Sequence, residues 1–311
     1  MSVYTTVNQQ QLEDFLSQYS VGSLVEFSGI QAGIENSNYV IVTSQGKFVL
    51  TLFESLTTQL LTGYFSLLNH LGQQGFPSPR PQLQNNDSFI TTINNKPAAL
   101  FNHLSGSSVH KPSTEQCAEV GSYLAKLHIY TRHSHFQQAN IKNLNGCQSV
   151  FTKISPYLRK EEINLLRSEF DFQLDLSLPQ LPMGIIHADL FKDNVLIQHV
   201  HISGILDFYN ACTDYYIFDI AVTCNDWCTE AGGINQLKFD ALLNGYEKVR
   251  PLSVDEIDYL PIFLRRAALR FWLSRIEHQL NPKPGELTSV KDPLAFRQLL
   301  EYHRANAEVT I

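Results

Sequence analysis

Hydrophobic positions along the chain follow two regimes, and the change between them near residue 104 is the first clue to architecture. Leu12, Phe15, Leu16 and Tyr19 recur at i, i+3, i+4 and i+7, which predicts a helix over residues 8–19. Three short β-branched and aromatic runs follow at 24–30, 38–43 and 47–53, and they predict three strands. A second helical stripe through Leu60, Leu61, Tyr64, Phe65, Leu68 and Leu71 stops at Gly75-Phe76-Pro77. Residues 88–93 and 97–103 then read as a hairpin turned by Asn94-Asn95. After the first helix the order is therefore β-β-β-α-β-β.

Beyond a small polar connector at 104–108, suited to a hinge, the period becomes mostly helical. Ser113 and Gln116 stand at capping-box spacing, and Cys117, Val120, Leu124 and Leu127 form the buried stripe of that helix. Strand patterns return only at 184–187, 195–197 and 204–208. The C-terminal hundred residues are helical again, through Phe239, Leu242, Leu243 and Tyr246 and then along 264–280. The pattern predicts an α+β protein with a strand-rich lobe over 1–103 and a larger helical lobe over 104–311.

Composition narrows the partners. Hydrophobic residues make up 43% of the 311 and charged residues 17%, which fits a globular chain and excludes a disordered or collagen-like one. A formal charge of −7 disfavours nucleic acid and anionic lipid, both of which require a basic footprint, and favours a small-molecule substrate. The chain opens without a basic segment and apolar run, and no stretch approaches eighteen uninterrupted apolar residues, so a cytoplasmic protein is expected. Cys117, Cys147, Cys212, Cys224 and Cys228 form no CxxC pair, which argues against a disulfide framework or a zinc site and for reduced thiols.

The chemistry is concentrated in His187-Ala188-Asp189-Leu190-Phe191-Lys192-Asp193-Asn194, followed at hairpin distance by Asp207. Phosphoryl transfer needs one carboxylate to accept the proton of an attacking hydroxyl. It also needs a carboxamide and a second carboxylate to hold Mg²⁺ on the nucleotide phosphates. Asp189 is the candidate base, and Asn194 and Asp207 are the candidate metal ligands. The alternative is that Asp189 and Asn194 are turn residues and His187 a core histidine. Between the first two strands, Gly29 and Gly33 can fold a loop over phosphates and Asn36 and Ser37 can add donors; a plain hairpin turn is the other reading.

These residues resemble the aminoglycoside-phosphotransferase-like branch of the two-lobed protein-kinase fold. Within that branch, Gly33-Ile-Glu-Asn-Ser-Asn-Tyr39, Phe48-Val-Leu-Thr-Leu-Phe-Glu54, the 187–194 segment, Asp207-Phe-Tyr-Asn-Ala-Cys212 and Asn225-Asp-Trp-Cys228 are similar to the homoserine kinases. The resemblance spans about Gly29 to Arg275. It implies a small antiparallel-sheet N-terminal lobe, a helical C-terminal lobe, ATP and Mg²⁺ between them, and transfer of phosphate to L-homoserine, giving O-phospho-L-homoserine for threonine synthesis. It also implies that backbone at Phe101, His103 and Leu104 meets adenine.

One departure stands out. The kinase fold carries a phosphate-facing lysine in the third strand, where this chain has Thr51, and Lys47 lies too early to replace it. Lys192 can supply that charge or can be a solvated surface residue. Homoserine requires an anion for its ammonium and a cation for its carboxylate. Tyr209 with Asn210, and Asp226, are candidates for the first; Arg266 and Arg270, at i and i+4 beside Arg265, are candidates for the second or are surface arginines. Asp219 reads as a helix cap and His128 as a structural helix-end residue. The rival expectations are a kinase of another hydroxyl acceptor (an aminoglycoside, choline or hydroxylysine) and a catalytically inactive nucleotide-binding scaffold.

Overall fold

The computed structural model describes residues 4–30, 35–281 and 292–306. Helix α1 (Gln9–Leu16) is opened by a capping box between Asn8 and Gln11 and buries Leu12, Phe15 and Leu16. Strands β1 (Leu24–Gly29), β2 (Asn36–Thr43) and β3 (Gly46–Phe53) follow, then α2 (Thr58–Gln73), β4 (Thr91–Ile93) and β5 (Lys96–Asn102). They form one antiparallel sheet in the order β1-β2-β3-β5-β4. Asn94 and Asn95 turn the last hairpin with φ of 51° and 61°, the left-handed pair that Asn tolerates and that matches strand twist. Along α2 the stripe differs at one place: Leu60 is exposed and Leu67 takes the buried position.

The helical part begins with α3 (Thr114–Tyr130), opened by the Ser113–Gln116 capping box, then α4 (Leu144–Ile154) and α5 (Lys160–Asp175). Two antiparallel strand pairs come next. Strand β6 (Met183–Ile186) pairs with β9 (Cys212–Tyr215), and between them β7 (Val195–Gln198) pairs with β8 (His201–Ile205). Helices α6 (Tyr216–Trp227), α7 (Gln236–Glu247), α8 (Val254–Leu280) and α9 (Pro293–Asn306) complete the chain. Helices α3 and α7 cross at Gly121 and Gly245, where a Cβ would overlap the carbonyl oxygens of Leu242 and Ala118 respectively.

Two apolar cores form. One lies between α1 and a face of the sheet, around Leu12, Ile41, Leu50 and Leu100. The other joins α2 and the opposite sheet face, through Phe53, Phe65 and Phe101, to the helices of the C-terminal part. The connector after β5 is docked rather than a free tether. Ser107 exchanges both backbone hydrogen bonds with Ile197, at 3.2 and 2.9 Å, and Gly106, at φ 127°, allows a close approach that a side chain would block against Ser203 and Ile197. All five cysteines are buried free thiols. Among the described residues no helix is long and apolar enough to cross a membrane.

Candidate active site

Strand β6 ends at Ile186, and after His187 the chain reverses sharply: Ala188 adopts φ 62°. This left-handed turn costs a residue with a Cβ about 1–2 kcal/mol, and one side chain holds it. Asp219 Oδ2 accepts from His187 N–H at 2.7 Å and its Oδ1 from Ala188 N–H at 2.8 Å. Asp219 is therefore not the cap that its sequence position suggested. Helix α6 starts earlier, with Tyr215 at the cap position, so Asp219 faces inward, fully buried. His128 bonds the same carboxylate through Nε2 at 3.1 Å and Tyr246 Oη through Nδ1 at 2.7 Å. Burial alone would raise the Asp219 pKa; His128 and the His187 N–H bring it below its ordinary value. Burial lowers the His128 pKa, so the neutral ring donates from Nε2 and accepts from the tyrosine.

With its start fixed, the loop sets out its polar groups in order. Asn194 donates from Nδ2 to the Asp189 carbonyl at 2.9 Å, and Leu206 N–H donates to the Asn194 carbonyl at 2.8 Å. The second bond brings Asp207 beside Asn194, because Asp207 follows directly after Leu206 in a left-handed turn at φ 60°. His187 is buried, donating Nε2–H to the Leu206 carbonyl at 2.9 Å, and so clips the two turns together. Asn210 then reaches back with Nδ2 to Asp189 Oδ2 at 3.3 Å. Asp189, Asn194 and Asp207 share one space.

The electrostatics suit a divalent cation. Burial, then Asp189 and Glu35, push the Asp207 carboxyl up to about 7, against the Tyr209 N–H and Lys142. A carboxylate crowded by two others is stabilised by bound positive charge. The Asn194 amide has its nitrogen engaged, so its hard oxygen donor and that of Asp207 form a set that fits Mg²⁺, which takes few protein ligands and keeps phosphate oxygens.

The other candidates are distributed around this space. Gly29 ends β1 opposite Tyr39; Gly33 lies outside the described residues. Ser37 is buried, its hydroxyl accepting from Tyr4 and Thr5 N–H and donating to Glu54. Asn36 Oδ1 accepts from Glu54 N–H, and the Thr51 hydroxyl donates to Asn38 Oδ1 at 2.8 Å. Phe101 turns its ring into the core against Phe65, while His103 and Leu104 follow at the start of the connector. Lys192 donates its backbone N–H to Asp226 Oδ2 at 2.7 Å, and its side chain lines a surface hollow with Lys111, Glu230 and Lys238 that none of Asp189, Asn194 or Asp207 lines.

On the acceptor side, the Tyr209 ring wedges edge-on against Phe53 and Tyr64 at 5.2 and 5.7 Å. Arg265 is taken up by a buried pair with Glu169, and Arg266 donates to Gln173 Oε1 at 2.9 Å. Arg270 differs from both. It is 4% exposed and stacks its guanidinium over the Phe271 ring at 3.8 Å; burial lowers its pKa against the pull of Asp189, and its Nε and Nη1 are buried without a hydrogen-bond partner among the described residues. Two groups that the sequence did not single out also stand here. Lys142, from the loop between α3 and α4, donates to Asn210 Oδ1 at 2.6 Å, and Glu35 contributes charge from the end of the glycine loop. Neither carries a periodic signal, and Glu35 stands in sequence only as a neighbour of Gly33.

Residues 26–252 match the phosphotransferase enzyme family APH. The chain belongs to this family. It is 38% identical over 309 residues to the homoserine kinase of Methylobacillus flagellatus, covering 99% of this chain and 97% of that one. It is 39% identical to the homoserine kinase of Neisseria meningitidis serogroup B, covering 96% and 99%. Among solved structures, an amicoumacin kinase in complex with AMP-PNP and Ca²⁺ superposes with a TM-score of 0.72 at 14% identity, over 96% of this chain and 94% of that one. Spectinomycin phosphotransferase in complex with ADP and its antibiotic gives 0.70 at 12%, over 97% and 99%. A choline kinase of Cryptosporidium parvum gives 0.69 at 12%, over 96% of each chain. The two-lobed fold expected from the motifs is the fold of these solved structures.

Proposed function

We propose that this chain is a cytoplasmic homoserine kinase, which transfers the γ-phosphoryl group of ATP to the side-chain hydroxyl of L-homoserine. Asp189 orients that hydroxyl and takes its proton as the oxygen attacks phosphorus in line. Asn194 and Asp207 would hold Mg²⁺, which neutralises charge on the phosphate oxygens. The backbone around His103 and Leu104 meets the base. The substrate ammonium falls to Asp226, which shares the field of Arg275 with Asp189.

The observation that carries the acceptor assignment is Arg270. A buried guanidinium with two unpartnered nitrogens is costly unless an anion completes it, and a carboxylate matches its planar fork. An amino acid brings that carboxylate; choline and aminoglycosides bring only positive charge. Near-full-length similarity to homoserine kinases supports the same choice.

The test is ADP formation with Mg²⁺·ATP and L-homoserine, L-serine, L-threonine, choline, hydroxylysine or kanamycin, with Asp189→Asn as the inactive control. Homoserine should exceed the rest. Arg270→Met should raise KM for homoserine about 10- to 100-fold, the loss of a charged hydrogen-bond pair, and leave KM for ATP unchanged. Faster turnover with any other acceptor on the panel, hydroxylysine included, would overturn the assignment.

A further inference from the structure

The third strand offers no cation to the phosphates. Thr51 occupies the position, buried and bonded to Asn38, and Lys47 is exposed at the start of the strand. Phosphoryl transfer concentrates negative charge on the transferring group and on the leaving oxygen, and a positioned cation there is among the larger contributions to rate. Among the described residues, the ammonium that meets the catalytic groups belongs to Lys142.

Its surroundings fix it there. Lys142 Nζ donates to Asn210 Oδ1 at 2.6 Å, and the same amide donates to Asp189 Oδ2 at 3.3 Å, so lysine, amide and base form one line. Desolvation by the surrounding protein, then Arg270, lower the Lys142 pKa, and Asp189, Glu35 and Asp207 oppose that shift, so these carboxylates lie within electrostatic reach of the ammonium.

The backbone that carries Lys142 is held as well. Thr213 N–H donates to the Gln138 carbonyl at 2.7 Å, and Asn140 Nδ2 to Asp214 Oδ2 at 2.6 Å. Lys142 N–H donates to Asn140 Oδ1 at 2.8 Å, its carbonyl accepts from the Cys147 thiol, and Asn143 caps α4. Lys142 is itself exposed, so this backbone frame and the bond to Asn210, rather than burial, set where its ammonium stands. The segment is tied to β9, which pairs with the strand leading into Asp189, so the lysine and the base share one support.

We propose that Lys142 is a catalytic residue: its ammonium contacts the γ-phosphoryl group in transfer and does the work that a third-strand lysine does elsewhere in the fold. In that step the acceptor oxygen forms a bond to the γ-phosphorus as its proton passes to Asp189. The bond between the γ-phosphorus and the bridging oxygen breaks, and its electron pair leaves with ADP. Lys142 keeps its three protons and stabilises the equatorial oxygens. The inference rests on the phosphoryl-transfer reading of the site, but not on homoserine as acceptor.

The experiment compares wild type, Lys142→Met and Lys142→Arg as full-length proteins. Three readouts are taken: homoserine-dependent turnover, slow ATP hydrolysis without acceptor, and calorimetric affinity for Mg²⁺·ADP with and without aluminium fluoride, a mimic of the transferring group. Lys142→Met should lower kcat by about 100-fold or more, lower the hydrolysis rate comparably and weaken the aluminium fluoride complex at least tenfold, with ADP affinity within twofold. Lys142→Arg should recover part of each loss. A rise in KM for homoserine with hydrolysis and mimic affinity unchanged would make Lys142 a holder of the acceptor carboxylate and overturn the proposal. Unchanged behaviour in every readout, or lost turnover with unchanged mimic affinity, would overturn it too. If homoserine fails as acceptor in the wild type, hydrolysis and mimic binding still decide the role of Lys142, so the two failures are distinct.

Discussion

Replacing Asp219 by asparagine keeps the shape of the side chain and changes what it can accept. In the native fold its two oxygens take three donors: His187 N–H, Ala188 N–H and His128 Nε2–H. The amide has one oxygen, so its NH₂ must face at least one of those donors. A buried donor left facing another costs about 1–3 kcal/mol, and the bonds that survive become neutral rather than charge-assisted, which removes about 1 kcal/mol more. We therefore expect Asp219→Asn to lose about 2–4 kcal/mol of stability. The loss is comparable to the cost of the left-handed conformation at Ala188, about 1–2 kcal/mol, so the turn relaxes. Asp189 is the next residue, and a displacement of about 1 Å there can lower turnover by about 100-fold. Urea unfolding measures the first effect, and steady-state kinetics with separate ADP binding measure the second. Stability within about 0.5 kcal/mol of wild type together with unchanged kcat would refute the argument that this carboxylate holds the catalytic turn.

Two further outcomes follow from packing and burial. Gly121→Ala should destabilise by about 3 kcal/mol or more, since its Cβ overlaps the Leu242 carbonyl and α3 and α7 must part; chemical denaturation reads this, and a change under 1 kcal/mol would mean that the crossing is not close. His303 is buried, donates Nε2–H to Asn225 Oδ1 at 2.8 Å, and has its pKa lowered to about 4 by burial and by Arg265. Its folded pKa lies below the unfolded one, so its contribution is complete above about pH 6.5 and is lost as pH falls toward 4. The span is on the order of 3 kcal/mol, and His303→Gln should flatten the fall in stability between pH 6.5 and 4.

The sequence by itself determined the elements of the N-terminal lobe and the reaction class, whereas β9, the partner of the strand before the catalytic loop, had no strand pattern to announce it. Helix α1, the strand order, the Asn94-Asn95 turn and the Ser113–Gln116 cap are local matters of period, capping and turn chemistry, which neighbouring residues decide. The catalytic loop was legible for the same reason: Asp189 and Asn194 sit on one short turn, and Asp207 returns on the next hairpin. Groups brought from far along the chain were not legible. Asp219 looked like a cap because its sequence position is near a helix start; only packing shows that the helix begins earlier and that this carboxylate faces the loop. Arg265, Arg266 and Arg270 are equivalent as letters on a helix, and they separate only when Glu169 and Gln173 arrive from α5 to engage two of them. Lys142 has no pattern at all, because its position is set by the docking of its loop on β9. Local order follows from short-range geometry in the chain, whereas which charges meet at a site depends on long-range contacts that the folded core alone creates.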